Sequence, residues 1–63
     1  MFLVEQKQNG QRRAEIYMRD DGLFEGRIYQ HCEGGQVGDP FEVCGVTETL
    51  PRVECLVDEE LGL

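Results

Sequence analysis

Two turn signals, Asn9-Gly10 and Asp20-Asp21-Gly22, bracket a stretch in which apolar and polar residues alternate. That arrangement constrains the chain more than any other feature. Asn-Gly supplies two residues tolerant of positive φ, the need of a type I′ hairpin turn. A two-residue loop there sets Gln8 against Gln11, Lys7 against Arg12 and Leu3 against Ile16. Met1, Leu3, Ala14, Ile16 and Met18 then share one face. The Lys7–Arg12 opposition is repulsive and belongs at a solvated end.

The second turn admits two registers. A two-residue loop at Asp21-Gly22 sets Ile16 against Arg27. A three-residue loop, Asp20-Asp21-Gly22, sets Met18 against Phe24, Ile16 against Gly26, Ala14 against Ile28 and Glu15 against Arg27. A one-residue slip flips every side chain to the other face, and only the second register keeps the apolar face whole. Gly22 then takes the left-handed bulge position. A third strand follows over about 23–31. The glycine-rich stretch from Gln30 to Pro40 reads as a wide turn. "FEVCGV", 41–46, reads as a short fourth strand with Phe41, Val43 and Gly45 on one face.

Residues 50–61 fit a helix, because Leu50, Val53, Leu56, Val57 and Leu61 make one stripe. Thr47 or Thr49 can cap it, Pro51 falls in the tolerated first turn, and Gly62 is a natural stop. The alternation of Val53, Cys55 and Val57 is the competing strand signal. Asp58-Glu59-Glu60 sit at the wrong end of a helix dipole. With the helix preferred, the expectation is an α+β fold. It is a three- or four-stranded antiparallel β-meander with one C-terminal α-helix packed on one face, forming a single small domain over 1–63.

Sixty-three residues bury a modest core and leave little room for an enclosed catalytic cavity, so binding is favoured over catalysis. There is no serine and a single histidine, His31. His31 is adjacent to Cys32, and on a strand the two side chains diverge. No paired carboxylates are marked out, and the expectation is that the chain is no enzyme. His31, Cys32, Cys44 and Cys55 could be offered as a minimal zinc site, but no C-x-x-C is present, so no cofactor is expected. "GGQVG" lacks the Lys-Ser/Thr of a phosphate loop. No apolar run approaches the ~18 residues that cross a bilayer. The start has no signal-peptide pattern, and three cysteines suit free thiols, so a cytoplasmic location is expected.

The charge is uneven. Residues 1–30 carry five bases and five acids, whereas 31–63 carry one base, Arg52, against eight acids, giving the net −7. An anionic surface repels nucleic acid and draws in basic proteins. Arg12, Arg13, Arg19 and Arg27, with Tyr17 and Tyr29, are assigned to the outer sheet face. There they could stack on single-stranded nucleic acid, but cross-strand ion pairs such as Glu15–Arg27 account for them better. Phe2, Val4, Tyr17, Leu23 and Tyr29 share that face, which is much apolar area for a solvated surface.

Residues 16–61 resemble the HicB-type antitoxins. The resemblance rests on Asp20-Asp21-Gly22, Gly34-Gly35 and Gly45-Val46-Thr47 leading into a helix. It implies a small antiparallel sheet with a packed helix, and an activity of neutralising a small basic ribonuclease. Pro51, the absence of an alanine-rich helix and the lack of a following DNA-binding extension depart from that pattern, and no site residue is carried over from it.

The functional expectation is therefore a small acidic protein-binding module. It would be an inhibitor or antitoxin-like protein, of the kind phages and plasmids carry, that masks a basic nuclease or other nucleic-acid-binding enzyme. Glu48, Glu54, Asp58, Glu59 and Glu60 would meet the partner's bases, with Phe2, Tyr17 and Tyr29 as apolar anchors. Direct contact with nucleic acid or membrane is not expected. The alternatives are a homodimer or larger homo-oligomer assembling through the exposed sheet face, and the zinc domain.

Overall fold

The structure, a computed structural model, describes residues 1–30 and 41–63. The glycine-rich turn, His31 and Cys32 lie outside the described residues. Four strands, β1 (Phe2–Asn9), β2 (Arg12–Met18), β3 (Phe24–Gln30) and β4 (Phe41–Thr47), form one antiparallel sheet in the order β1-β2-β3-β4. One helix, α1 (Leu50–Leu61), packs on a single face of it, chiefly over β3 and β4. The α+β meander with a C-terminal helix is the architecture expected from the sequence.

The β2–β3 register is the three-residue-loop register: Met18 opposes Phe24, Ile16 opposes Gly26, Ala14 opposes Ile28, and Glu15 opposes Arg27. Gly22 has φ 85°, its N–H donates to Arg19 O at 3.0 Å, and Arg19 N–H donates to Leu23 O at 2.7 Å. The Asp21 side chain accepts from Leu23 N–H at 3.1 Å and secures the turn. Preservation of the apolar face was sufficient to select this register.

The first hairpin differs from the expectation. Asn9 pairs with Arg12, so the loop is Gly10-Gln11 and only Gly10 has positive φ, at 64°. Positive φ at the first loop position alone is the type II′ pattern. Lys7 consequently opposes Ala14 rather than Arg12, which removes the repulsion. A bulge between Leu3 and Glu5 then shifts the register by one residue, so Leu3 opposes Tyr17 on the uncovered face, while Val4 packs against the core. The expected places of Leu3 and Val4 are thus exchanged, because one extra residue reverses side-chain direction.

A second bulge, at Cys44, separates Arg27↔Val43 from Gly26↔Gly45. It leaves Phe41 and Val43 exposed and turns Gly45 towards Leu56 of the helix, so the three do not share a face. Among the described residues the buried apolar core is Ala14, Ile16, Ile28, Val53, Val57 and Leu61. Glycine at 26 makes the close approach of helix to sheet feasible. A Cβ there would lie 2.9 Å from Val57 Cγ2 and 3.1 Å from Val53 Cγ2.

The helix follows its apolar stripe, with Thr49 at the N-cap position and Pro51 in the first turn. Gly62, at φ 76°, closes the C-terminus by donating its N–H to Glu59 O, and Leu63 N–H donates to Asp58 O. That is the pairing of a glycine-based stop. The last turn has no base of its own. The β1–β2 hairpin supplies the missing cations: Lys7 Nζ lies 2.6 Å from Asp58 Oδ1, and Arg12 donates to Glu60 O at 2.6 Å. Asn9 Nδ2 also donates to Leu61 O at 2.5 Å. The unfavourable acidic run at the negative helix end is thereby offset from outside the helix.

Candidate functional site

The two sides of the molecule carry different chemistry. On the helix side, residues 41–63 hold six side-chain carboxylates, Glu42, Glu48, Glu54, Asp58, Glu59 and Glu60, against the single base Arg52. The structure divides the five expected to meet a partner. Asp58 and Glu54 lie 2.6 and 4.0 Å from Lys7 Nζ, and Glu60 lies 3.8 Å from Arg12. Glu48 and Glu59 are exposed, and among the described residues no cation comes within ion-pair distance of either. The hydrogen bond to Asp58 raises the Lys7 pKa above its ordinary value, so this base is held charged in the middle of the acidic surface.

The other side is the uncovered sheet face. Arg27 occupies its centre, between the rings of Tyr17 and Phe41, with its guanidinium carbon 4.6 and 4.5 Å from their centroids. Its Nε donates to Glu25 at 2.5 Å, which raises its pKa further above the usual guanidinium value. Arg13 lies over Tyr29 at 4.6 Å, and Tyr29 packs against Phe41 with ring centroids 5.3 Å apart. Glu15 accepts from the Tyr17 hydroxyl at 2.6 Å and from Gln6 at 3.3 Å, and lies 3.5 Å from Arg13. The bond to Glu15, and then desolvation, push the Tyr17 pKa up to about 12, because ionisation would set a phenolate beside a carboxylate.

Several sequence expectations are corrected by this geometry. Arg12 is not on the uncovered face; it reaches over to the helix C-terminus. Arg27 opposes Glu15 in register, but its closest carboxylate is Glu25, two residues along its own strand. The cation–π stack centred on Arg27 was not expected. The alternation that placed Tyr17 and Arg27 on one face was its only sequence signal, since strand register alone does not say which ring a guanidinium covers.

Of the expected aromatic anchors, Tyr17 and Tyr29 are half-buried within this stack. Phe2 is exposed and opposes Met18 at the sheet corner. The structure therefore brings Tyr17 and Tyr29 together, on the sheet face away from the five helix-side carboxylates. A row of exposed apolar residues that sequence reading missed as a surface runs along β4: Phe41 at 43 %, Val43 at 50 % and Val46 at 41 % exposure.

The two described cysteines are far apart in character. Cys44 lies under the helix beside the Gly26 backbone, and burial raises its thiol pKa, whereas Cys55 is exposed on the helix. Among the described residues no group of three or more His, Cys, Asp and Glu side chains converges as a metal site. No helix is long and apolar enough to cross a membrane. Open hollows lie beside Met1, Arg19, Asp20 and Asp21, and beside Val46, Thr47, Glu48, Thr49 and Arg52. Compared with known protein families, curated proteins and solved structures, the chain matches none.

Proposed function

We propose that this protein is a small acidic binding module without catalysis of its own, which masks a basic, nucleic-acid-acting partner. The observation that carries the reading is the open negative charge of the helix side. Glu48 and Glu59 stand exposed with no cation in ion-pair reach among the described residues, on the half of the chain that holds the net negative charge. Such a surface accelerates encounter with a basic protein, while buried apolar contacts supply most of the affinity. Antitoxin-like inhibition is one form this activity takes.

The test is capture from a lysate of the source organism on the immobilised chain, with Glu48→Lys/Glu59→Lys as the comparison. The reading expects a protein of high isoelectric point, retained by the native chain and lost with the double variant. Equal retention by both chains would refute it.

A homo-oligomer is the second reading, favoured by the exposed row Phe41, Val43 and Val46 and by Leu3 on the uncovered face. Light scattering decides it: a concentration-dependent dimer supports self-assembly, and a monomer at millimolar concentration removes it.

A further inference from the structure

The two edges of the sheet are unlike. β1 carries the Leu3/Glu5 bulge together with Glu5, Lys7 and three amide side chains, devices that discourage strand addition. Lys7, Arg12 and Arg13 also gather on the β1–β2 hairpin. β4 has the opposite character. Among the described residues it pairs only with β3, and from Phe41 to Thr49 it carries no base. One carboxylate, Glu42, lies near its start and a second, Glu48, just past its end, both exposed. Between them runs the exposed apolar row Phe41, Val43 and Val46. Glu48 also lines the open hollow at the end of the strand, beside Arg52 of the helix.

We infer that β4 is a docking edge for an extended basic segment of the partner, which adds as a fifth antiparallel strand. This inference rests on the binding reading above and says where that binding occurs. Backbone N–H and C=O groups of β4 would supply the register, alternate apolar side chains of the segment would cover Phe41, Val43 and Val46, and its Lys or Arg residues would meet Glu42 and Glu48. Charge selects this occupant over a second copy of the chain. A second β4 would oppose acid to acid, between molecules each of net charge −7, whereas a basic segment is attracted. It is also directed away from the β1–β2 hairpin, where Lys7, Arg12 and Arg13 lie.

The experiment uses the full chain, labelled for amide NMR, and two synthetic probes: an acetylated, amidated heptapeptide alternating Lys and Val, and its Glu-Val counterpart. The Lys-Val peptide is expected to move the amide signals of Phe41–Thr47 and to slow hydrogen exchange of alternate β4 amides. Glu42→Lys/Glu48→Lys, both at exposed positions that leave the core intact, is expected to weaken binding at least tenfold. The Glu-Val peptide is expected not to bind. Shifts confined to the helix, with β4 exchange unchanged, would overturn the edge while leaving the acidic-module reading standing. Absence of binding by the Lys-Val peptide at millimolar concentration, together with no salt-sensitive capture from lysate, would overturn both. Equal binding of the two peptides, or β4 protection that rises with protein concentration alone, would overturn the choice of a basic occupant.

Discussion

Gly26→Ala tests the packing on which both surfaces depend. The added Cβ would lie 2.8 Å from Cys44 Sγ, 2.9 Å from Val57 Cγ2 and 3.1 Å from Val53 Cγ2. Both valines are fully buried, so neither can retreat without lifting the helix from the sheet. Overpacking of this kind costs about 1–3 kcal/mol. Removing a glycine from the unfolded chain returns about 0.4–1 kcal/mol. The expected net loss is about 1–2 kcal/mol, out of the roughly 3–9 kcal/mol that a domain of this size holds. At ~4–8 °C per kcal/mol, that lowers the melting temperature by roughly 5–15 °C.

Adding Cys44→Ala removes the sulfur contact but leaves both valines, so the double variant should recover part of the loss, about 0.5–1 kcal/mol of coupling. Gly45→Ala should cost less than Gly26→Ala, because its 2.6 Å neighbour is the flexible end of Leu56. Urea unfolding followed by circular dichroism measures the native chain, these three variants and Cys44→Ala alone, which closes the cycle, with unchanged m-values as the sign that only stability has moved. Gly26→Ala as stable as the native protein, or less harmful than Gly45→Ala, would refute the reasoning.

Other expectations follow from the same geometry. Gly22→Ala forces a side chain into a φ of 85° and should destabilise by about 1–2 kcal/mol in the same assay. Val57→Ala empties space at a site with no solvent exposure and should cost about 2–3 kcal/mol. The Tyr17 hydroxyl should ionise near pH 12, and Glu15→Gln should bring it back towards 10, as read from tyrosinate absorbance. Because the folded-state values of Lys7 and Tyr17 are both raised, their contributions to stability are complete below the ordinary values of 10.5 and 10.0. Both are lost as pH rises through the folded values, so urea midpoints should fall above about pH 10. Lys7→Met should remove the high-pH decline that belongs to Lys7 and leave that of Tyr17.

The parts of this fold legible in the sequence are those where one face had to stay apolar. The β2–β3 register followed from Met18, Ile16 and Ala14 meeting Phe24, Gly26 and Ile28. The helix followed from the spacing of Val53, Val57 and Leu61. The β1 register was not legible, because its middle and C-terminal residues, Glu5 to Asn9, are polar and give no burial pattern to fix the phase. Asn9-Gly10 fits either of two turns one residue apart, and the bulge at Leu3/Glu5 leaves no mark in composition.

Legibility of the candidate surfaces had the same limits. The charge asymmetry is plain in the chain, but its division by Lys7 and Arg12 depends on the hairpin folding over the helix end. The separation of Tyr17 and Tyr29 from the acidic helix follows from their opposite sides of the sheet. The β4 row was hidden by the Cys44 bulge, which changes the faces of Val46 and Gly45 relative to a regular strand.

The most direct test of the central claim is the association rate between the chain and the protein it retains from its own lysate, measured across ionic strength. The account predicts that the rate falls at least tenfold between about 10 and 150 mM salt, and that Glu48→Lys/Glu59→Lys slows association and flattens the dependence, with little change in dissociation. A rate indifferent to salt, or equal for the two chains, would contradict it.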